Sequence, residues 1–210
     1  HRDMAHTFFD MKKQDLFNER KAAQVAAFFL YRSRRAMSIL KLMKLMYLAE
    51  RESFKKYGES ITGDAFVSMQ HGPVLSGTYD FAKAHSRVAL AIGAKQEGYW
   101  RKLINFRAGN LLTINPKAGI ANPDEDLLGL SDSDVECLEA AWKQFGHLSA
   151  GQLVDFTHEN CGEWDKHVGG SSSLIPVARM LKELGYQPEH VHAIDRRIHE
   201  QRYLSNALSS

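Results

Sequence analysis

Apolar residues recur at helical spacing in two long groups, and a shorter stretch between the groups alternates as strands do. Residues 19–32 carry apolar side chains three and four positions apart, which predicts a first helix. Ser38 precedes a second periodic stretch and Gly58 ends it, as expected of a helix N-cap and C-cap. The apolar stripe of this second helix leaves out four charged residues, Lys41, Lys44, Glu50 and Arg51.

The middle of the chain contains strand-like segments. Residues 65–70 alternate in a way that suits a short strand. Gly72 and Pro73 follow, and because glycine permits unusual backbone angles and proline starts helices, a helix is predicted from near Val74. Further on, residues 97–106 and 111–115 flank the turn-rich tetrapeptide 107–110, which predicts a β-hairpin.

The second helical group has clear start signals. Ser131 stands three residues before Asp134, and Ser149 three before Gln152, so both pairs have capping-box spacing. Two further helices are predicted after Ser173 with Pro176 and after Pro188. The predicted fold is therefore α+β: a mainly α-helical single domain with a small antiparallel β-sheet or hairpin inserted between two helical groups.

Composition narrows the class of protein. A chain of 210 residues with 44% apolar and 25% charged residues is expected to bury about 70% of its unfolded surface in one domain. The formal net charge of +2 is too balanced to indicate nucleic acid or an anionic membrane. Cys137 and Cys161 do not form a disulfide framework, and no apolar run is long enough to span a membrane, so we expect a cytoplasmic protein. The chain begins with His, and we expect the natural start at Met4 or Met11, with earlier residues left from cloning.

One segment has residues that bind metals. His158, Cys161 and His167 offer nitrogen and sulfur to zinc, and Glu159, Glu163 or Asp165 could act as a base or fourth ligand. Structural zinc sites ordinarily show two paired ligand motifs, whereas here only one pair is present. The favoured interpretation is structural, with Thr157 and His158 bonding a helix end and Trp164 closing the core. No metal or other cofactor is predicted, and a metal-dependent hydrolase remains an alternative.

Other catalytic patterns are missing from the sequence. It contains neither the Gly-x-Ser-x-Gly nucleophile motif nor the glycine-rich phosphate-binding motifs. His71 beside Gly72 could act as a general base, but a lone histidine at a turn is more often structural. We therefore expect a protein without enzymatic activity.

Two small basic clusters suggest a DNA-binding alternative. Residues 31–35 and 195–202 are arginine-rich, and their candidate phosphate contacts are Arg34, Arg35, Arg196 and Arg197. Arginines on solvated helix faces are the commoner explanation of such clusters. A DNA-binding transcriptional regulator is thus an alternative, but DNA is not the expected partner.

Three segments in order carry a family resemblance. Residues 41–58 begin Lys-Leu-Met-Lys-Leu-Met-Tyr, residues 65–84 contain Gly-Pro-Val, and residues 130–164 contain Ser-Ala-Gly-Gln-Leu followed by Thr-His and then Trp. Together they resemble the Panacea, or SocA-like, antitoxin domain, over about residues 22–167. The residues that match its motif are Lys41, Leu42, Lys44, Leu45, Tyr47, Gly72, Pro73, Val74, Ser149, Leu153, Thr157, His158 and Trp164.

The resemblance implies a prokaryotic or phage antitoxin that binds a cognate protein toxin. It would neutralise the toxin by direct contact, or act as an adaptor that presents it to an ATP-dependent protease. The implied division is an N-terminal extension over residues 1–18, the antitoxin domain over 19–168, and C-terminal helices over 169–210 that pack on the same domain. Candidate toxin contacts are the aromatic and basic residues Tyr79, Tyr99, Trp100, Arg101 and Tyr203, because such side chains commonly anchor interfaces.

Overall fold

The computed structural model describes residues 16–34, 36–83 and 98–208. Expectations about Met4, Met11 and Arg35 lie outside these residues. The helices are α1 (Glu19–Ser33), α2 (Ile39–Tyr57), α3 (Ser76–Lys83), α4 (Tyr99–Leu103), α5 (Pro123–Asp126), α6 (Asp132–Phe145), α7 (Ala150–Asn160), α8 (Val177–Glu183) and α9 (Pro188–Leu208), with a 3₁₀ turn at Pro116–Ala118. The strands are β1 (Met37–Ser38), β2 (Phe66–Met69), β3 (Gly72–Leu75), β4 (Ile104–Arg107), β5 (Leu111–Ile114) and β6 (Ser173–Ile175).

Helix α2 is the centre of the molecule. Its ends agree with the sequence prediction: the Ser38 side chain accepts a hydrogen bond from the backbone of Lys41, and Gly58 ends the helix at φ +66°. Helices α1, α6 and α7 pack around it, together with strand β3. Since neighbours surround α2 on nearly every side, Lys44 and Glu50 are buried as well as the apolar stripe. A position outside the apolar stripe therefore does not mean exposure to solvent for these two residues.

The strands of the described residues form two antiparallel sheets of three. One has the order β1-β5-β4 and the other β3-β2-β6. The second sheet corrects the prediction for Gly72 and Pro73, because they belong to strand β3 and Met69 pairs with Gly72 across a two-residue turn. Helix α3 starts at Ser76, after the strand, rather than near Val74.

The predicted hairpin at residues 104–114 is confirmed as β4 and β5, with Ile104 opposite Ile114. Residues 99–103, which were predicted as part of its first strand, form the short helix α4. The strand β6 was not predicted, and it pairs with β2 at the other edge from β3. The fold class, α+β and mainly helical, is confirmed.

Both capping boxes are present at the starts of α6 and α7. The C-terminal helices contact the body through the Tyr186 hydroxyl, which donates to the carbonyl of Phe54 at 2.5 Å, and through Val191, which is buried. Cys137 and Cys161 are free and buried. None of the helices in the described residues is long and apolar enough to cross a membrane.

Candidate functional site around the central hairpin

Most of the residues singled out by motif gather where α2 meets the β2–β3 hairpin and α7. Lys44 points from α2 into the protein with no exposed surface, and its Nζ donates to the Pro73 carbonyl oxygen at 2.7 Å. Burial lowers the pKa of Lys44 from 10.5 to about 7, while the nearby Cys161 has the opposite, smaller effect. A lysine of this kind fixes strand β3 to the central helix and changes its charge near neutral pH.

The hairpin approaches α2 and α7 closely at Gly72. Its φ is +95°, and a Cβ there would lie 2.8 Å from Thr157 Oγ1 and 2.9 Å from Lys44 Nζ. Both the backbone angle and the space favour glycine at this position. The turn residues Gln70 and His71, by contrast, are exposed at the hairpin tip. The motif glycine therefore lets the hairpin sit directly on α2 and α7.

A buried acid ties α2 to the loop that follows α7. Glu163 is fully buried, and its Oε1 accepts hydrogen bonds from the Tyr47 hydroxyl at 2.7 Å and from Arg51 Nε at 2.6 Å. Arg51 Nη2 also donates to Glu163 Oε2 at 3.0 Å, so the guanidinium binds the carboxylate through two nitrogens. Burial, and then the negative charge of Glu163, raise the pKa of Tyr47 well above its ordinary value.

Trp164 joins the same loop to the hairpin. Its indole Nε1 donates to the Met69 carbonyl at 2.9 Å, and the His158 ring stacks on it with centroids 3.9 Å apart and planes at 10°. Burial, and then the charge of Lys44, lower the pKa of His158. The backbone N–H of Asp165 adds a 3.0 Å bond to the Ser68 hydroxyl. The last two residues of strand β2, Ser68 and Met69, are therefore held by the loop after α7.

The remaining motif residues complete this scaffold. Lys41 Nζ donates to the carbonyl of Gly146 at 2.8 Å, and the Ser149 side chain accepts from Gln152 N at the start of α7. The Thr157 hydroxyl donates to the carbonyl of Val154 within α7. The apolar members Leu42, Leu45, Val74 and Leu153 are buried in the core. We call the whole set, with Arg51 and Glu163, the hairpin anchor.

Sequence analysis did not recognise the roles of several anchor and neighbouring residues. Glu163 was considered only as part of a metal site, and Arg51 only as a charged residue outside the apolar stripe of α2. The four-residue spacing of Tyr47 and Arg51 on α2 was the available signal that they share a face. Two further carboxylates had no local signal. Glu50 accepts hydrogen bonds from the backbone N–H groups of Ile61 and Thr62, and Asp64 from those of Gly77 and Thr78.

The three candidate zinc ligands do not come together. His158 stacks on Trp164, the Cys161 thiol is buried with its pKa raised to about 12 by that burial, and His167 bonds the hydroxyls of Ser171 and Ser173. Among the described residues no group of three or more His, Cys, Asp or Glu side chains could hold a metal ion. Of the structural interpretation, Thr157 bonds the carbonyl of Val154 within α7, whereas His158 packs on Trp164 and its buried Nε2 has no hydrogen-bond partner among the described residues.

The candidate toxin contacts differ in exposure. Trp100 is only 1% exposed and stacks on Phe81, so its prediction as an exposed anchor was wrong; the short helix α4 turns it into the core against α1. Tyr79 and Tyr99 are half-buried, with Lys83 over one ring and Arg20 over the other. Arg101 is exposed, and Tyr203 on α9 is 74% exposed.

Three arginines of the two basic clusters contact groups of the same protein. Arg32 pairs with Glu139, Arg196 lies 4.0 Å from Glu200, and Arg197 donates to the carbonyl of Gly58 at 2.6 Å. Arg34 is exposed and adopts the left-handed backbone conformation at φ +53° that ends α1. Arg32 and Arg197 therefore bond residues that are distant in the sequence.

Comparison with known families agrees with the position of the hairpin anchor. The sequence profile of the antitoxin SocA-like Panacea domain matches residues 42–165, a span that contains all of the anchor except Lys41. No curated protein and no solved structure gives a significant match to the chain. Because the matched span covers more than half of the chain and includes the elements that meet at Gly72, the protein belongs to the SocA-like antitoxin family of Panacea domains.

Proposed function

We propose that the protein is an antitoxin that neutralises a cognate protein toxin by binding it directly. The observation that carries the proposal is the hairpin anchor, in which three buried or half-buried polar side chains bond other residues of the protein. The Lys44 ammonium, the Glu163 carboxylate and the Trp164 indole each have a protein partner within 3.0 Å. An arrangement of this kind stabilises a rigid surface, and rigid surfaces bind partners with little loss of entropy.

The proposal extends to the C-terminal helices. Tyr186, just before α9, bonds the carbonyl of Phe54, and Arg197 on α9 bonds that of Gly58, so both contacts reach the end of α2. We take residues 19–168 as the antitoxin domain and residues 169–210 as helices that enlarge the same folded unit. The toxin would then meet a surface built from both parts.

The decisive experiment uses the product of the reading frame adjacent to this gene. Its expression alone should arrest growth, and co-expression of the antitoxin should restore it. The two purified proteins should form a stoichiometric complex by size-exclusion chromatography with light scattering. Failure of the adjacent product to bind, together with failure of rescue, would contradict the proposal.

The same experiment separates direct neutralisation from delivery to a protease. Rescue is repeated in hosts that lack individual ATP-dependent proteases. A directly neutralising antitoxin should rescue growth in every host at an unchanged toxin level. An adaptor should lose rescue in one of these hosts, and the toxin should accumulate there.

A further inference from the structure

A groove runs between helix α9 and the end of the β3-β2-β6 sheet. Its volume is about 410 Å³, and apolar side chains from both sides line it, among them Phe66, Ile175 and Ile198. A second cavity, also about 410 Å³, lies beside it, and Ile198 and Arg202 line both. The two cavities therefore meet beneath the C-terminal half of α9.

Arg202 is the residue of this groove that has an unsatisfied hydrogen-bond donor. Its Nε is buried and has no hydrogen-bond partner within the residues that the structure describes. Neither carboxylate that lines the first cavity bonds Arg202 Nε: Asp64 binds the backbone at the start of α3, and Asp195 lies 3.5 Å from His199, which lines the same cavity. A buried donor without an acceptor is destabilising, so an acceptor supplied by a partner would recover that free energy.

The rim of the groove favours a polypeptide. Leu174 of β6 lines the groove and is 48% exposed, although it is a large apolar side chain. An acidic residue with apolar neighbours would match both features, because its carboxylate would meet Arg202 while the neighbours covered Leu174 and Ile198. A carboxylate fits the guanidinium through paired hydrogen bonds, and it is the anion that a polypeptide side chain supplies.

We propose that this groove is a docking site for an acidic, apolar-flanked segment of the toxin, with Arg202 as the residue that binds its carboxylate. The inference rests on the proposed antitoxin function and names the part of the surface that carries it. The site uses α9, which lies beyond the span matched by the family profile. Toxin choice would then depend on a C-terminal addition to the shared hairpin anchor.

The test measures affinity for the adjacent toxin by calorimetry with Arg202→Ala, Arg202→Glu and the control Arg196→Glu. Arg196 is on the same helix and 67% exposed, and it does not line the groove, so its change controls for charge alone. We expect Arg202→Ala to lower the affinity for the toxin at least ten-fold and Arg202→Glu to lower it further. Arg196→Glu should change the affinity less than two-fold. Circular dichroism and thermal unfolding should show all three variants folded.

A charge exchange tests the same contact from the toxin side. Among toxin variants with single acidic residues changed to arginine, one should restore binding to Arg202→Glu. Equal binding of wild type and Arg202→Glu would overturn the docking site while leaving the antitoxin function standing. If the wild-type protein did not bind the toxin, both the docking site and the proposed antitoxin function would be wrong. If Arg202→Glu instead dissociated a dimer of the protein in sedimentation, the occupant would be a second copy and the toxin assignment would be wrong.

Discussion

Lys44 and Pro73 are joined by a 2.7 Å hydrogen bond from the buried ammonium to the proline carbonyl. Pro73 lies on strand β3, at the edge of its sheet, where the lack of an N–H on proline is tolerated. The bond gives a polar side chain in the middle of the core a defined partner. It also makes the attachment of the hairpin depend on a group whose pKa is about 7.

The first prediction concerns the free energy of unfolding as a function of pH. The pKa of Lys44 is about 7 in the folded protein against an ordinary 10.5, so between these values the unfolded chain binds more protons. Stability should therefore rise with pH across this window, by about 2 kcal/mol from pH 7 to pH 9. Urea unfolding at several pH values, for wild type and Lys44→Met, measures the difference that is due to this lysine.

The comparison ends at pH 9 because Cys161, with its pKa raised to about 12 in the folded state from 9.0, acts in the opposite direction above that pH. Lys182→Met, at an exposed position on α8, serves as the control and should follow the wild-type curve. Parallel curves for wild type and Lys44→Met would contradict the prediction.

The second prediction compares two neighbours at the hairpin. Gly72→Ala places a Cβ 2.8 Å from Thr157 Oγ1 at φ +95°, so we expect a loss of about 2–4 kcal/mol of stability and weaker growth rescue. His71→Ala changes an exposed turn residue and should cost less than about 0.5 kcal/mol. Thermal unfolding measures the stability of both variants, and co-expression with the adjacent toxin measures their growth rescue. Loss of rescue in a stably folded His71→Ala variant would revive the general-base hypothesis for His71.

Local signals in the sequence predicted much of the fold. Ser38, Gly58, Ser131 and Ser149 all mark helix ends correctly, because capping depends on residues three or four positions apart. Strand β6 was missed because three residues show no periodicity, and its strand conformation comes from pairing with β2 far away in the chain. The prediction of a helix from near Val74 was wrong for a related reason. Pairing of β3 with β2 outweighed the preference of Pro73 for a helix start.

For the candidate site too, the sequence predicted which residues belong to it but not how they contact one another. The motif residues were recognised by family resemblance, but their mutual contacts depend on how α2, the hairpin and α7 pack. Lys44 lies off the apolar stripe of α2 and yet is fully buried, because α2 is covered on that side too. Sequence periodicity describes one face of a helix, and it does not say how many faces the fold will cover.

The third prediction concerns the buried acid that joins α2 to the loop after α7. Glu163→Gln keeps the shape of the side chain but leaves the Arg51 guanidinium without its carboxylate, so stability should fall by about 3–5 kcal/mol. Tyr47→Phe removes one hydrogen bond to the same carboxylate and should cost about 1.5–3 kcal/mol. In the double variant Arg51→Met with Glu163→Gln, part of the loss should be regained, because no unpaired charge remains at the site. Urea unfolding at pH 7 of these three variants and of Arg51→Met alone gives four values, from which the coupling energy of Arg51 and Glu163 follows. Strict additivity of the Arg51 and Glu163 changes would show that the two side chains contribute independently, contrary to the contact through two nitrogens.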